Sequence, residues 1–265
     1  MNPVPRVVVL GCGGSAGVPV IGGDDGTGDW GVCDPGEPRN RRSRASIVVE
    51  SAGNRLLVDT SADMRGQLLA CGIPRVDAIL YTHSHADHIT GLDDVRILNR
   101  IVGRPIEAFG TAATLSELTR RFDYAFKPWR PPGFIRPVLI PREVTPGDTP
   151  AMAGIAVRLF DQDHGFTRTL GLRIGGFAYS TDVVALDAEA LGQLAGVHTW
   201  LVDCFQLAPH VTHAHLDRVL RWIERIRPAR AVLTHMGTDL DWGWMQANLP
   251  PGVEPAYDGM VLEVA

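Results

Sequence analysis

The stretch that decides the fold is residues 81–91, YTHSHADHITG, in which three histidines and one aspartate lie within six positions. It follows an apolar run with the composition of a buried strand. Side chains two positions apart in an extended segment point to the same side, so His83 and His85 can bind one metal ion together. The backbone is expected to curl beyond the strand, which directs Asp87 and His88 toward a second ion. The H-x-H-x-D-H spacing therefore predicts part of a two-metal site.

Three further apolar runs are followed by a residue that can bind a metal. His164 comes after IAVRLF, Asp182 comes after GFAYST, and His235 comes directly after RAVLT. Functional side chains of α/β proteins gather at the edge of a sheet where its strands end. Because these residues share that placement with the opening segment, the sequence predicts that they complete the same site.

The composition is that of a globular protein with one sizeable core. The chain has 265 residues, of which 45% are hydrophobic and 21% charged, and strand-like runs alternate with helix-like ones. This alternation predicts an α/β fold whose sheets are covered by helices, in a single domain over residues 1–265. The sequence has no apolar run of the length that spans a bilayer and no signal peptide at its start. Its cysteines are dispersed, so we expect a cytoplasmic protein without membrane association.

The net charge of the chain indicates which class of binding partner it suits. The net charge is −5, which favours a small phosphorylated substrate over a long nucleic acid. The segment EPRNRRSR is nonetheless basic, with arginines at positions 39, 41, 42 and 44. Such a run is either a solvated face or a clamp for a phosphate group, since guanidinium groups bind phosphate in a fork geometry. The arginines that enter these two alternatives are Arg39, Arg41, Arg42 and Arg44.

The glycine-rich segment GCGGSAG, residues 11–17, imitates two known patterns, a dinucleotide fingerprint and a nucleophile elbow. Both require a helix immediately after the turn. Here Pro19 and more glycines follow, so we predict a tight turn that brings backbone close to the site. Ser15 is not expected to be a nucleophile.

Five segments together resemble the metallo-β-lactamase fold superfamily over nearly the whole chain. They are LLVDTS with Asp59, THSHADH, DHG with His164, YSTD with Asp182 and LTHM with His235. The resemblance implies a four-layered αββα sandwich that holds two divalent ions at one sheet edge. It also implies a supporting role for Asp59, which would orient metal ligands without binding a metal itself.

The resemblance also implies how the ligands divide between the two ions. One ion would be bound by His83, His85, His164 and Asp182. The other would be bound by Asp87, His88, His235 and again Asp182, whose carboxylate would bridge. Members that destroy antibiotics usually carry a cysteine at the position of Asp182, so the chain looks unlike a true lactamase. The histidine and carboxylate ligands suit zinc, manganese or iron.

Two ions about 4 Å apart activate a hydroxide and stabilise charge on a phosphoryl group, and an alkoxide leaving group also needs a general acid. PHVTHAHLDRVL offers His210, His213 and His215. The pattern T-H-x-x-x-[DE] before a helix resembles members that act on phosphodiesters, and it aligns His213 with their catalytic histidine. In the implied mechanism the metal-bridging hydroxide attacks phosphorus, Asp87 orients it, and His213 protonates the departing oxygen.

The likeness is strongest to the phosphoribosyl 1,2-cyclic phosphate phosphodiesterase type, through LGCGGSAGVP, GDWGVCDP and NRRSRAS. It implies a small cyclic phosphodiester as substrate, such as 5-phosphoribosyl 1,2-cyclic phosphate or a cyclic nucleotide. Some relatives carry a cysteine-rich zinc site near the N-terminus. Only Cys33 is present in that loop, so we expect no additional structural metal centre.

Other functions fit the same site. A ribonuclease of the tRNA 3′-end type would need a long arm and a basic surface, whereas the chain is acidic and its excursion FKPWRPPGF is short. A lactone or thioester hydrolase would use the same hydroxide. A non-catalytic binding protein would lack metal ligands, and none is missing from the pattern. A homodimer is a general expectation, because two-fold dimers are the commonest oligomers.

Overall fold

The computed structural model describes residues 5–131 and 133–264. In chain order the strands are β1 (Arg6–Gly11), β2 (Ser46–Ser51), β3 (Asn54–Val58), β4 (Ala78–Leu80), β5 (Ile106–Gly110), β6 (Leu139–Glu143), β7 (Ala151–Met152), β8 (Ile155–Ala156), β9 (Arg158–Asp163), β10 (Arg168–Ile174), β11 (Phe177–Ser180), β12 (Thr199–Asp203), β13 (Arg230–Thr234), β14 (Val253–Pro255) and β15 (Val261–Glu263). The helices are α1 (Met64–Ala70), α2 (Ala86–Ile89), α3 (Val95–Val102), α4 (Ala112–Arg121), α5 (Asp123–Phe126), α6 (Ala188–Gln193), α7 (Leu216–Ile226) and α8 (Trp242–Asn248), with 3-10 helices at Pro38–Asn40 and Thr90–Asp94.

The strands form two large mixed sheets. The first has the order β15-β1-β2-β3-β4-β5-β6 and the second the order β14-β13-β12-β11-β10-β9, while β7 and β8 make a small hairpin. Strands β3 to β6 run parallel to one another, and so do β11 to β14. Within each sheet these parallel strands therefore end at the same edge, which is where side chains of different strands can meet.

Side chains alternate along the first sheet, because successive residues of a strand point to opposite faces. Val7 and Val9 of β1 belong to the core shared with the second sheet, whereas Val8 and Leu10 pack on the other face with α1, α3 and α4. The same alternation recurs in β2, β3 and β4. The first sheet is thus buried on both faces, with one helical layer outside it.

The outer face of the second sheet is also covered by helices. Trp200 of β12 is buried, and its ring lies 6.4 Å from that of Trp222 in α7. Leu216 and Val219 of the same helix join the core. The layers are therefore helix, sheet, sheet and helix, and the predicted αββα sandwich is confirmed.

Tight turns link several of these elements. Strands β2 and β3 form a hairpin around Gly53, and α1 ends before Gly72. Residues 11–17 form a turn that is not followed by a helix, and the amide of Gly14 donates a hydrogen bond to the carbonyl of Met236, 3.1 Å away. The turn therefore lies beside His235, the residue before Met236. Within the described residues, no helix is long and apolar enough to cross a membrane.

Candidate metal centre

The predicted metal residues lie at or just beyond the ends of strands, and three residues of this region have an unusual backbone conformation. Asp59 follows β3, Asp182 follows β11 and His235 follows β13, with φ angles of 65°, 52° and 57°. Residues other than glycine adopt positive φ at an energetic cost, and such conformations concentrate at functional sites. The sheet edge is therefore built from three sharp turns that carry chemically active side chains.

The first group of side chains comprises His83, His85, His164 and Asp182, whose potential ligand atoms all lie within 4.8 Å of one another. The Nε2 atoms of His83 and His164 are 3.7 and 3.5 Å from Oδ2 of Asp182. The Nε2 atom of His164 is 3.3 Å from Nδ1 of His85. The structure therefore brings together the complete first ligand set that the sequence predicts.

The second group comprises Asp87, His88, His235 and the same Asp182. The Nε2 atoms of His88 and His235 lie 3.2 and 3.4 Å from Oδ1 of Asp182. They lie 3.2 and 3.8 Å from Oδ2 of Asp87. The two oxygens of Asp182 thus face different groups, which is the geometry of a bridging carboxylate.

The donors fit divalent cations. Among the described residues, Nε2 of His83, His88 and His235 is buried and makes no hydrogen bond, although leaving a buried polar atom unpaired is costly. Ligand atoms about 2.0–2.2 Å from an ion are separated by about 3.3–3.6 Å in a tetrahedron, close to the distances between these groups. Imidazole and carboxylate ligands suit zinc, manganese and iron alike.

A second ring of contacts holds the ligands in place. Asp59 is fully buried, and its Oδ2 atom lies 2.7 Å from Nδ1 of His88. The same carboxylate accepts hydrogen bonds from the amide and hydroxyl of Thr82, both at 2.8 Å. Nδ1 of His164 donates to the carbonyl of Thr212 at 2.7 Å. When Nδ1 is the donor, Nε2 presents its lone pair to the site, so Asp59 lies where the predicted supporting role requires it.

The electrostatics of the groups favour cations. Burial lowers the pKa of His83 well below its ordinary value, and neighbouring His88 lowers it further. Burial also opposes the charged form of His235, but Asp182 and Asp87 outweigh it and raise the pKa to about 9. The pKa of Asp182 is well below its ordinary range because the facing histidines outweigh its burial. The same negative charge that retains a proton on His235 would stabilise a bound cation, so protons and metal ions compete for these nitrogens.

His213 lies beside both groups. Its ring centroid is 4.7 Å from that of His164 and 4.6 Å from that of His235. His210 lies in the preceding loop and is partly exposed, while His215 directly precedes α7 as its N-cap residue. Of the three histidines in this segment, His213 is the one whose ring lies beside rings of both metal groups, and its role as general acid stays a prediction.

Asp203 is a site residue that the sequence analysis missed. It ends β12, is fully buried, and its Oδ2 atom lies 3.0 Å from Nδ1 of His213. The same oxygen accepts a hydrogen bond from the amide of Val183 at 2.9 Å, and Oδ1 lies 3.8 Å from Nδ1 of His235. The signal was present, because TWLVD is an apolar strand that ends in a carboxylate, like the other strand ends of the site.

The sequence also matches a known family. The model of the β-lactamase superfamily domain matches residues 54–236, more than half of the chain. The chain belongs to this superfamily. Together with the histidine and aspartate groups, this membership makes the protein a metal-dependent hydrolase with the metallo-β-lactamase fold.

Individual members of the superfamily are similar over most of the chain. A solved structure described as a new diphosphatase from the PhnP family is 33% identical, with a TM-score of 0.88 and 98% of both chains covered. Ribonuclease Z of Mycobacterium sp. (strain KMS) is 29% identical over 243 residues, which are 77% of this chain and 84% of that protein. An octanoyltransferase of Porphyromonas gingivalis is 30% identical over 258 residues, 96% of this chain. The chain spans only 51% of that transferase.

The arginine segment was interpreted as either a solvated face or a phosphate clamp, and the first interpretation is wrong for Arg42. The side chain is buried, with 2% of the residue exposed. Its Nη1 atom donates to the carbonyl of Gly237 at 3.1 Å, and Nη2 donates to the carbonyl of Leu240 at 2.6 Å and to Asn40 at 3.0 Å. These donors are bound within the protein, so Arg42 is not placed to clamp a phosphate either.

The other three arginines keep some contact with solvent. Arg39 pairs with Glu37 at 2.6 Å, and Arg44 pairs with Asp63 at 2.9 Å. Arg41 is exposed and lies over an indole ring. Their predicted contact with substrate stays a prediction, and each would have to bind it in competition with these neighbours.

Proposed function

We propose that the protein hydrolyses a small cyclic phosphodiester with the help of two divalent ions. The observation that carries the proposal is the buried pair of His213 and Asp203 beside both metal groups. An ester oxygen leaves as an alkoxide unless it receives a proton, so hydrolysis of an unactivated phosphodiester requires such an acid. A thioester would not, because a thiolate leaves readily by itself.

The metal groups give each ligand a defined task. One ion would be held by His83, His85 and His164, and the other by Asp87, His88 and His235. Asp182 would bind both ions. When bound, the ions lower the pKa of water and stabilise negative charge on the phosphoryl oxygens. Asp87 has the greater exposure of the two carboxylates, 13% against 2% for Asp182, so it can also accept a hydrogen bond from the attacking water and orient it.

His213 would supply the proton. Its Nδ1–H donates to Asp203, which fixes the orientation of the ring. The proton on Nε2 is then transferred to the departing ester oxygen. Because Asp203 also accepts from the amide of Val183, next to Asp182, the acid and the bridging ligand are tied to one buried carboxylate. The net charge of −5 supports a small substrate that reaches the cations rather than a long nucleic acid.

A second candidate is hydrolysis of a diphosphate. It is favoured by the 33% identity and nearly complete coverage of the structure described as a diphosphatase. The leaving group of a diphosphate is itself a phosphate, which departs without prior protonation. The two functions therefore differ in how strongly they depend on His213.

Replacing His213 with alanine tests the proposal. We expect turnover of 2′,3′-cyclic AMP to fall by about 10²–10⁴-fold, the range for loss of a general acid. Turnover of bis-p-nitrophenyl phosphate should fall far less, because p-nitrophenolate needs no proton to leave. Steady-state kinetics on both substrates and elemental analysis are the measurements, and the metal content should stay unchanged.

His215→Ala is the matched control, since His215 lies two residues away at the start of α7; it should leave both rates nearly unchanged. An equal loss on both substrates in His213→Ala would argue against an acid. Diphosphate turnover that is fast and insensitive to His213→Ala, without activity on the cyclic substrate, would favour the diphosphatase instead.

A further inference from the structure

Two loops beside the metal centre carry apolar side chains that point into solvent. Phe166 is 91% exposed and lies two residues after His164. Val211 is 71% exposed and lies two residues before His213. Each side chain is thus close in sequence to a residue of the candidate site.

The two loops contact each other and are held by hydrogen bonds. Nδ1 of His164 donates to the carbonyl of Thr212 at 2.7 Å. Gly165 has a φ of 77°, and a Cβ atom there would lie 2.8 Å from the carbonyl oxygen of Val211. Only glycine allows so close an approach. The amide of Phe166 also donates to the carbonyl of His164 at 3.0 Å, so a fixed turn presents the ring.

Folding does not explain this exposure. Burial of a phenylalanine side chain stabilises a folded protein, and a ring that is 91% exposed gains little of that stabilisation. A single exposed apolar residue is common on protein surfaces. Here Phe166 and Val211 lie on contacting loops next to polar catalytic groups, and an apolar surface beside convergent polar groups is typical of a ligand site.

We propose that Phe166 and Val211 form a subsite for the nucleobase of the substrate, which is then a nucleoside cyclic phosphate. The inference rests on the proposed function and narrows it to one class. A nucleobase offers a flat apolar face, and stacking of a base on an aromatic side chain strengthens binding of any base. A sugar phosphate without a base has no such face and would leave Phe166 in water.

A matched pair of substrates tests the subsite. 2′,3′-Cyclic AMP and glycerol 1,2-cyclic phosphate share the five-membered cyclic phosphate, and only the first carries a base. In the metal-loaded enzyme, Phe166→Ala should raise KM for cyclic AMP by about tenfold, within the range of a lost stacking contact. KM for the glycerol compound should not change, and Phe166→Trp should restore the value for cyclic AMP.

Leu69→Ala is the control, because Leu69 is also apolar and 67% exposed but lies on α1 in the outer helical layer. It should change neither KM. Equal changes on both substrates in Phe166→Ala, or a change on neither, would overturn the subsite.

The experiment distinguishes failure of the proposed function from failure of the subsite. If the wild-type enzyme hydrolyses neither cyclic phosphate, that function is wrong. Calorimetric titration with adenosine 3′-monophosphate and with inorganic phosphate then still decides the subsite. A base-binding subsite predicts that Phe166→Ala weakens only the nucleotide; a nucleotide affinity that Phe166→Ala leaves unchanged contradicts it.

Discussion

The histidine segment 83–88 and the arginine segment 39–44 have similar densities of charged or ionisable side chains, yet the fold uses them in opposite ways. In the first, Nε2 of His83 and of His88 is buried without a hydrogen bond. In the second, two terminal nitrogens of the Arg42 guanidinium are bound to carbonyl and amide oxygens of the protein. Density in sequence therefore does not identify a site. Several unpaired nitrogens that face one carboxylate do, as those of His88 and His235 face Asp182, because together they retain capacity for a ligand. Arg42 leaves a single nitrogen, Nε, unpaired.

The largest effect expected from this comparison is at Asp182. Asp182→Asn removes the charge that faces both histidine groups while it keeps the size of the side chain. We expect loss of bound metal and a fall in turnover of about 10²-fold or more, the scale of one strong electrostatic contact at a reacting centre. Elemental analysis and steady-state kinetics are the measurements.

Asp24→Asn, in an exposed loop, should change neither the metal content nor the rate. Full metal content in Asp182→Asn would show that the two groups do not share this carboxylate.

An intermediate effect is expected at Arg42, on stability rather than chemistry. Arg42→Met removes the donor from the carbonyl oxygens of Gly237 and Leu240, whereas Oδ1 of Asn40 keeps the amide of Trp242. Each buried polar group left unpaired costs about 1–3 kcal/mol. We expect the free energy of unfolding in urea to fall by about 3–5 kcal/mol, with KM unchanged for the folded enzyme. Unchanged stability together with a raised KM would return Arg42 to the substrate site. Arg41→Met, at an exposed position, is the matched control.

The smallest effect is expected at Arg39. Its guanidinium pairs with Glu37 and lies 3.5 Å from the centroid of the Trp242 ring, in surroundings open to solvent. Exposed pairs of this kind contribute little, so KM in Arg39→Ala should stay within about a factor of two. A KM raised tenfold or more would show that this arginine clamps a phosphate after all.

The metal groups were predictable because strand ends can be recognised from sequence. Each predicted ligand follows an apolar run, and parallel strands bring such positions to one edge. Asp203 was predictable by the same rule, but its importance comes from contacts with His213 and Val183 that no local pattern reveals. The strongest signal was the spacing of residues 83–88. Neither the periodicity of a helix nor the pattern of a hydrophobic core accounts for histidines at these positions.

Other features were not readable from the sequence. Nothing in RNRRSR distinguishes Arg42 from its neighbours, because its burial depends on a bridge between its backbone and that of Val18 and on distant carbonyls. The sequence also gives no sign that Phe166 is exposed, since an aromatic residue in a loop is predicted to be buried as readily as exposed. Both depend on contacts across the chain rather than on neighbours in sequence.

The left-handed turns at Asp59, Asp182 and His235 set a limit on how the protein can change. Glycine would relax the backbone at each of these positions but would remove the side chain that the site needs. Selection for a more stable fold and selection for activity therefore conflict at these three residues. Attempts to make the enzyme more heat-resistant should therefore begin on the outer helices and leave this edge of the sheets untouched.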